Sequence, residues 1–162
     1  MVRVEWRLKL ALIMAVNGLA VGGGANIALA NFGDMVLCSK EARFMYPFAK
    51  LGFTPELGSS MVMPFLIGMA KAKELMMTGN WLSSEEALRL NLVNAVYEAE
   101  DLLPQAVAVA AKLAASHPEC MRLMKQVMNR PLRQQLDAVL AEENETIKAS
   151  IRAVGGPMAS KL

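Results

Sequence analysis

Apolar positions crowd the first third of the chain and then give way to helical spacing. Leu10 to Gly33 runs for 24 positions without a charged residue. Inside it, Ala11 to Val16 is a short apolar run that predicts a buried strand. The glycine-rich stretch after it predicts a turn, and Ala25 to Asn31 a short buried helix. Strand, glycine turn and helix in that order is an α/β arrangement. Met35-Val36-Leu37-Cys38 predicts a second buried strand, and Arg43-Phe44-Met45 a third extended piece. Lys50 to Ser60 is rich in turn residues, punctuated by Gly52, Pro55 and Gly58. A helix is expected from Ser59 or Ser60, bent at Pro64. Another spans about Ala70 to Met77 and ends at Gly79. Ser83 with Glu86 forms a capping-box pair that opens a helix through Leu90. Val93 to Tyr97 is β-prone.

The remainder is helical. Asp101 to Ala115 sets Leu103, Ala106, Val107, Ala110 and Leu113 on one face. Glu119 to Asn129 does the same with Met121, Met124 and Met128. Leu136, Val139, Leu140, Ile147 and Ile151 mark a last amphipathic helix, with Glu142, Glu143 and Glu145 on its solvated side. No repeat or long linker interrupts the chain. The expectation is an α/β layer domain with a helical C-terminal part.

Composition narrows the chemistry. The 162 residues are 54% hydrophobic and 20% charged, which excludes a disordered chain. A net charge of +2 gives no electrostatic case for nucleic acid. Cys38 and Cys120 lie far apart without a CxxC, and His117 is the only histidine, so no metal cluster is expected. The thirteen methionines fall at helical spacing and are read as core packing rather than soft-metal ligands. Arg122, Lys125, Arg130 and Arg133 are read as solvated residues near helix ends.

The uncharged N-terminal run admits a competing reading. A basic start followed by Ala28-Leu29-Ala30 resembles a cleavable leader, which would make this a secreted helical protein. The interrupting Asn17-Gly18, the Gly22-Gly23-Gly24 triplet and the amides Asn26 and Asn31 oppose both a leader and a membrane span. The expectation is no membrane partner.

The glycine triplet is where chemistry becomes plausible. Glycines permit close backbone approach by a ligand, and a helix opening there points free N–H groups at it. That arrangement suits an oxyanion or anion. It is neither GxGxxG nor a P-loop. Close helix–strand packing without any ligand remains the alternative.

Three stretches carry a resemblance: VNGLAVGGGAN, then DMVLCSKEARFMYPFAKLGFTPELGSS, then AKAKELMMTGNWLSSEEALRLNLVNAVYE. Together they resemble the enoyl-CoA hydratase/isomerase (crotonase) superfamily over about residues 10 to 145. The resemblance implies a partial ββα spiral core over residues 1–97 and a helical, trimerising region over 98–162. It implies an acyl-CoA thioester as substrate, with coenzyme A part of the substrate and no separate cofactor. It implies a homo-oligomer, a trimer or a dimer of trimers. The family holds a thioester enolate on two backbone N–H groups. One belongs to the middle glycine, here Gly23, flanked by Gly22 and Gly24. The other comes from an upstream loop that this sequence does not include, so turnover is expected only if the N-terminal half is supplied.

Hydration in this family uses two glutamates. Their positions correspond here to Asn26 and Phe48, so a hydratase-type lyase is disfavoured. A carboxylate stands instead at Glu56, in TPELGSS, which matches the Δ3,Δ2-enoyl-CoA isomerase branch. One carboxylate suffices for that reaction: it takes a proton from C2 and returns it at C4. Desolvation by Phe48, Phe53 or Leu57 would raise its pKa. The competing role for Glu56 is a favourable charge at a helix entry. Asn26 is a candidate substrate donor or a packing residue. Ser59 and Ser60 are expected to cap the following helix, and His117 to be structural. A catalytically incomplete binding or assembly module is the other functional class. The terminal Ser160-Lys161-Leu162 reads as a peroxisomal address in a eukaryote; in a bacterium the expectation is the cytoplasm.

Overall fold

The computed structural model describes residues 10–31 and 33–155. Ser160-Lys161-Leu162 lies outside the described residues. Strands come in pairs that feed two small sheets. β1 (Ile13–Val16) and β2 (Leu19–Val21) are joined at Asn17-Gly18, and β3 (Met35–Ser39) and β4 (Arg43–Met45) repeat the step. β5 (Leu82–Ser83) and β6 (Ala95–Tyr97) complete the set. The first sheet has the order β1-β3-β6, all parallel, with Ile13 opposite Met35 and Leu37 opposite Ala95. The second has the order β2-β4-β5; β2 and β4 are parallel, and β5 is antiparallel to β4. Each strand pair therefore sends one strand to each sheet, and the chain winds as a ββα coil.

Two of these strands escaped the hydrophobic pattern. Leu19–Val21 was expected to be turn, but Gly18 and Gly22 bracket three residues that pair with Arg43–Met45. Their faces alternate, with Ala20 buried between exposed Leu19 and Val21. β5 is too short to leave a pattern at all.

α1 starts at Gly23 rather than Ala25. Its first turn, Gly23–Ala25, widens into π-helical turns over Asn26–Asn31. A short α2 (Phe48–Leu51) follows β4 and ends on Gly52 in the left-handed region. α3 (Ser59–Ile67) contains Pro64, and α4 (Met69–Thr78) is closed by left-handed Gly79. α5 (Ser84–Arg89) is capped by Ser83, whose Oγ accepts the Glu86 N–H at 3.2 Å.

The main core lies between the sheets and α3–α4. Phe44, Met63, Leu82 and Val62 are buried there, with Tyr46 donating its hydroxyl to Met63 Sδ at 3.3 Å. α6 (Ala99–Ala114) packs on the outer face of the first sheet through Leu102 and Ala106, which cluster with Leu37. α7 (Pro118–Met128) and α8 (Arg130–Val154) end the described chain. Lys125 of α7 bridges back to Asp34 at 2.6 Å.

Three sequence expectations are corrected. Leu103 and Val107 of α6 are exposed, because Leu102 and Ala106 supply the buried stripe. Of the methionines, Met45, Met63 and Met76 are core, whereas Met69, Met77, Met124 and Met128 face outward. Glu143 is not on a solvated face: it is 5% exposed. No helix among the described residues is long and apolar enough to cross a membrane.

Candidate active site

The site forms where the second sheet ends. β2 delivers Val21 to the glycine triplet, and β4 delivers Met45 beside it. The Gly22 N–H donates to the Met45 carbonyl at 2.9 Å, which fixes the turn. Gly22 has φ 55°, a conformation that side chains rarely adopt. α1 then begins at Gly23, and the first N–H groups of a helix have no acceptor inside it. The structure leaves the Gly23 N–H without a backbone acceptor among the described residues.

A second chain segment closes over this point. After α2 the chain turns through Phe53 and Thr54 to Glu56. Glu56 Oε1 lies 3.0 Å from where a Cβ would stand on Gly23, and Leu57 Cδ1 lies 3.9 Å from it. The carboxyl group therefore rests on the bare face of the middle glycine. A cavity of about 270 Å³ opens here, lined by Gly22, Gly23, Phe48, Phe53, Glu56 and Ile147, among others. Its wall is largely apolar. Burial in it, and then the charge of Glu143, push the Glu56 carboxyl above its usual range.

The Glu56 main chain is tied down independently of its side chain. Its carbonyl accepts the Ser59 N–H at 3.1 Å, the Ser59 hydroxyl at 2.7 Å and the Asn26 amide at 3.0 Å. Asn26 is fully buried, and its Oδ1 has no partner among the described residues. Asn26, Gly24 and Leu57 do not line the cavity. Asn26 thus sits behind the acid, holding its backbone. Gly24 is exposed.

The serines differ from expectation. Gly58 is the N-cap of α3 and makes no side-chain cap. Ser59 donates to Glu56, and Ser60 donates to Glu143 Oε1 at 2.6 Å. The helix end is capped instead by Glu143 from α8, which sequence reading missed. His117 is an exposed N-cap residue of α7, far along the chain from these groups.

The family model for enoyl-CoA hydratase/isomerase matches residues 6–154. The chain belongs to that family. Among its relatives, the short-chain-enoyl-CoA hydratase of Clostridium acetobutylicum is 39% identical over 138 residues, covering 85% of this chain and 52% of the relative. A carnitinyl-CoA dehydratase of Salmonella typhi is 40% identical over 115 residues, covering 71% of this chain and 43% of the relative. An enoyl-CoA hydratase/isomerase from Pseudoalteromonas atlantica superposes with a TM-score of 0.88 at 30% identity, over 93% of this chain and 60% of that one. The chain spans about half the length of the relatives it matches. The ββα coil described above is thus a stretch of the enoyl-CoA hydratase/isomerase fold, and the glycine turn with Glu56 lies inside it.

Proposed function

We propose that this site acts on an acyl-CoA thioester and moves a 3,4 double bond to the 2,3 position. The observation that carries the reading is the carboxyl of Glu56 set against Gly23 on the wall of one apolar cavity. A thioester oxygen held by the Gly23 N–H would place C2 within reach of that carboxyl. Glu56 takes the proton from C2, and the C–H electrons form the C1=C2 bond of a dienolate, whose C3=C4 bond stays in place until C4 is protonated and C2=C3 forms. The negative charge moves to the thioester oxygen, where the backbone donor stabilises it. Glu56 then returns its proton to C4. The C3=C4 bond is consumed as the C2=C3 bond is made, so no water or redox partner enters. A carboxyl with a raised pKa suits a group that must both take and give a proton.

The relatives bear the names of hydratases and a dehydratase, which keeps water addition as a second reading. The residue placement here favours isomerisation. The positions that the family resemblance gives to the hydratase carboxylates hold Asn26, which is buried behind the loop, and Phe48, an apolar wall. We also infer a homo-oligomer, with the trimer or dimer of trimers that the family resemblance implies; the exposed apolar residues of α6 and α7 offer it a contact surface.

The test is conversion of 3-enoyl-CoA by this chain and by Glu56→Gln. Losing a positioned general base is expected to cut the rate by about 10²–10⁴-fold. Equal rates would remove Glu56 as the base. Turnover of a 2-enoyl-CoA to its 3-hydroxy product would favour hydration. Thioester binding by calorimetry without turnover by either protein, even with the N-terminal half of a family member supplied, would favour a binding module.

A further inference from the structure

Glu143 is a buried carboxylate on the last helix, about ninety positions along the chain from the acid it adjoins, and the reaction proposed above makes no use of it. Its Oε2 accepts the Gly58 N–H at 2.6 Å, and its Oε1 accepts the Ser60 N–H at 3.0 Å and the Ser60 hydroxyl at 2.6 Å. These are the N-cap and second residues of α3, a helix with no acidic residue in its first turn and no side-chain cap of its own. A carboxylate at that point satisfies orphan donors and meets the positive end of the helix.

The turn that Glu143 holds is a strained one. Leu57 has φ 60° and Gly58 φ 82°. A bulky residue in the left-handed region persists only where its surroundings over-determine it. Glu56 directly precedes this turn. Further contacts on the same face of α8 reach the same loop. Thr146 bonds Thr54 at 3.1 Å, Ile147 lines the cavity, and Val154 packs against Gly52. Positions 143, 146–147 and 154 fall on one helical stripe.

We propose that Glu143 is the positioning residue of the Glu56 turn: by bonding the Gly58 and Ser60 amides it ties α8 to the active loop and sets where the acid stands. The proposal rests on the reading of Glu56 as the working acid. Glu143 also contributes charge. Among the groups packed round Glu56, Gly22, Gly23, Phe48, Phe53 and Asn26 carry none. Lys50 of α2 has its amine on the Gly79 carbonyl at 2.8 Å. Glu143 is the charged group that acts on the Glu56 carboxyl.

The test uses the whole chain and two variants, Glu143→Gln and Ser60→Ala. Amide hydrogen exchange is followed at Gly58 and Ser60, and the Glu56 carboxyl is titrated by carbon NMR. Glu143→Gln is expected to speed exchange at both amides by roughly tenfold or more, since a charge-assisted bond is lost. It should also move the Glu56 titration down, towards the ordinary carboxylate value. A merely structural cap would loosen the turn without moving that titration. Ser60→Ala removes a single contact, keeps the charge, and should give a smaller rise in exchange; it serves if Glu143→Gln does not fold. Unchanged exchange in the folded variants, or a Glu56 titration indifferent to Glu143→Gln, would overturn the proposal. Failure of the isomerase reading shows differently, as a rate insensitive to Glu56→Gln while the exchange and titration effects persist.

Discussion

Glu56 shows how a few ångströms decide the standing of a single residue. Its carboxyl lies in a crease between Gly23 and an apolar wall, so its charge is poorly solvated in the fold. Burial first, and then Glu143, raise its pKa above the ordinary 4.5. The folded chain thus holds this proton more tightly than the unfolded chain does. Stability from this group is greatest below the unfolded value and falls as the pH rises through the raised folded value. Glu56→Gln removes the penalty. Thermal melts of the two proteins should therefore show the variant gaining on the parent as the pH rises above the ordinary carboxylate value. A difference in Tm that does not change with pH would show that the carboxyl is freely solvated. The residue itself was legible through TPELGSS and its resemblance, not through any property of a glutamate after a proline. Glu143 was not legible, because Glu142-Glu143-Asn144-Glu145 reads as a charge run on a helix surface. Only the fold reveals that one of its three acids turns inward to another helix's end.

Elements were legible in proportion to the pattern they carry. Ser83 and Glu86 announce a capping box, and the structure places the Ser83 Oγ on the Glu86 N–H. Ser83→Ala should cost about 1 kcal/mol, read as a lower midpoint with an unchanged slope in urea unfolding. No loss would mean that Glu85 and Glu86 alone hold the start of α5. Arg43–Met45 was placed correctly from three residues because its flanks break the pattern on both sides. Leu19–Val21 has the same length but lies among glycines, and a glycine-bracketed run looks like a turn until a partner strand is known. α2 has four residues, shorter than the period that would identify it. The faces of α6 were misread for another reason. Leu102, Leu103, Ala106 and Val107 form an apolar band wider than one packing surface can cover, and the pattern does not say which edge is buried.

That surplus of apolar surface becomes physical at the scale of the whole molecule. The coil architecture came from the resemblance, since strands of two to five residues carry no periodicity that would specify two sheets. Once folded, the chain leaves Leu103 and Val107 of α6 and Leu123, Met124, Val127 and Met128 of α7 exposed. Val127 and Met128 are 68% and 72% exposed, and isolated monomers rarely show contiguous patches of this kind. Methionine suits such a surface, because its flexible thioether adapts to a partner without a fixed rotamer. Net charge is low, so little repulsion opposes contact between copies. Sedimentation velocity on the purified chain should therefore show a species several times the mass of the 17.6 kDa protomer. Replacing Val127 and Met128 together by glutamate should shift that species towards the monomer, because charge on the patch would have to be desolvated on association. The substitutions lie on exposed positions, so the melting temperature at high dilution should be little changed. A parent protein that sediments as a monodisperse monomer would show that these faces stay solvated, and the inferred trimer would fall with them.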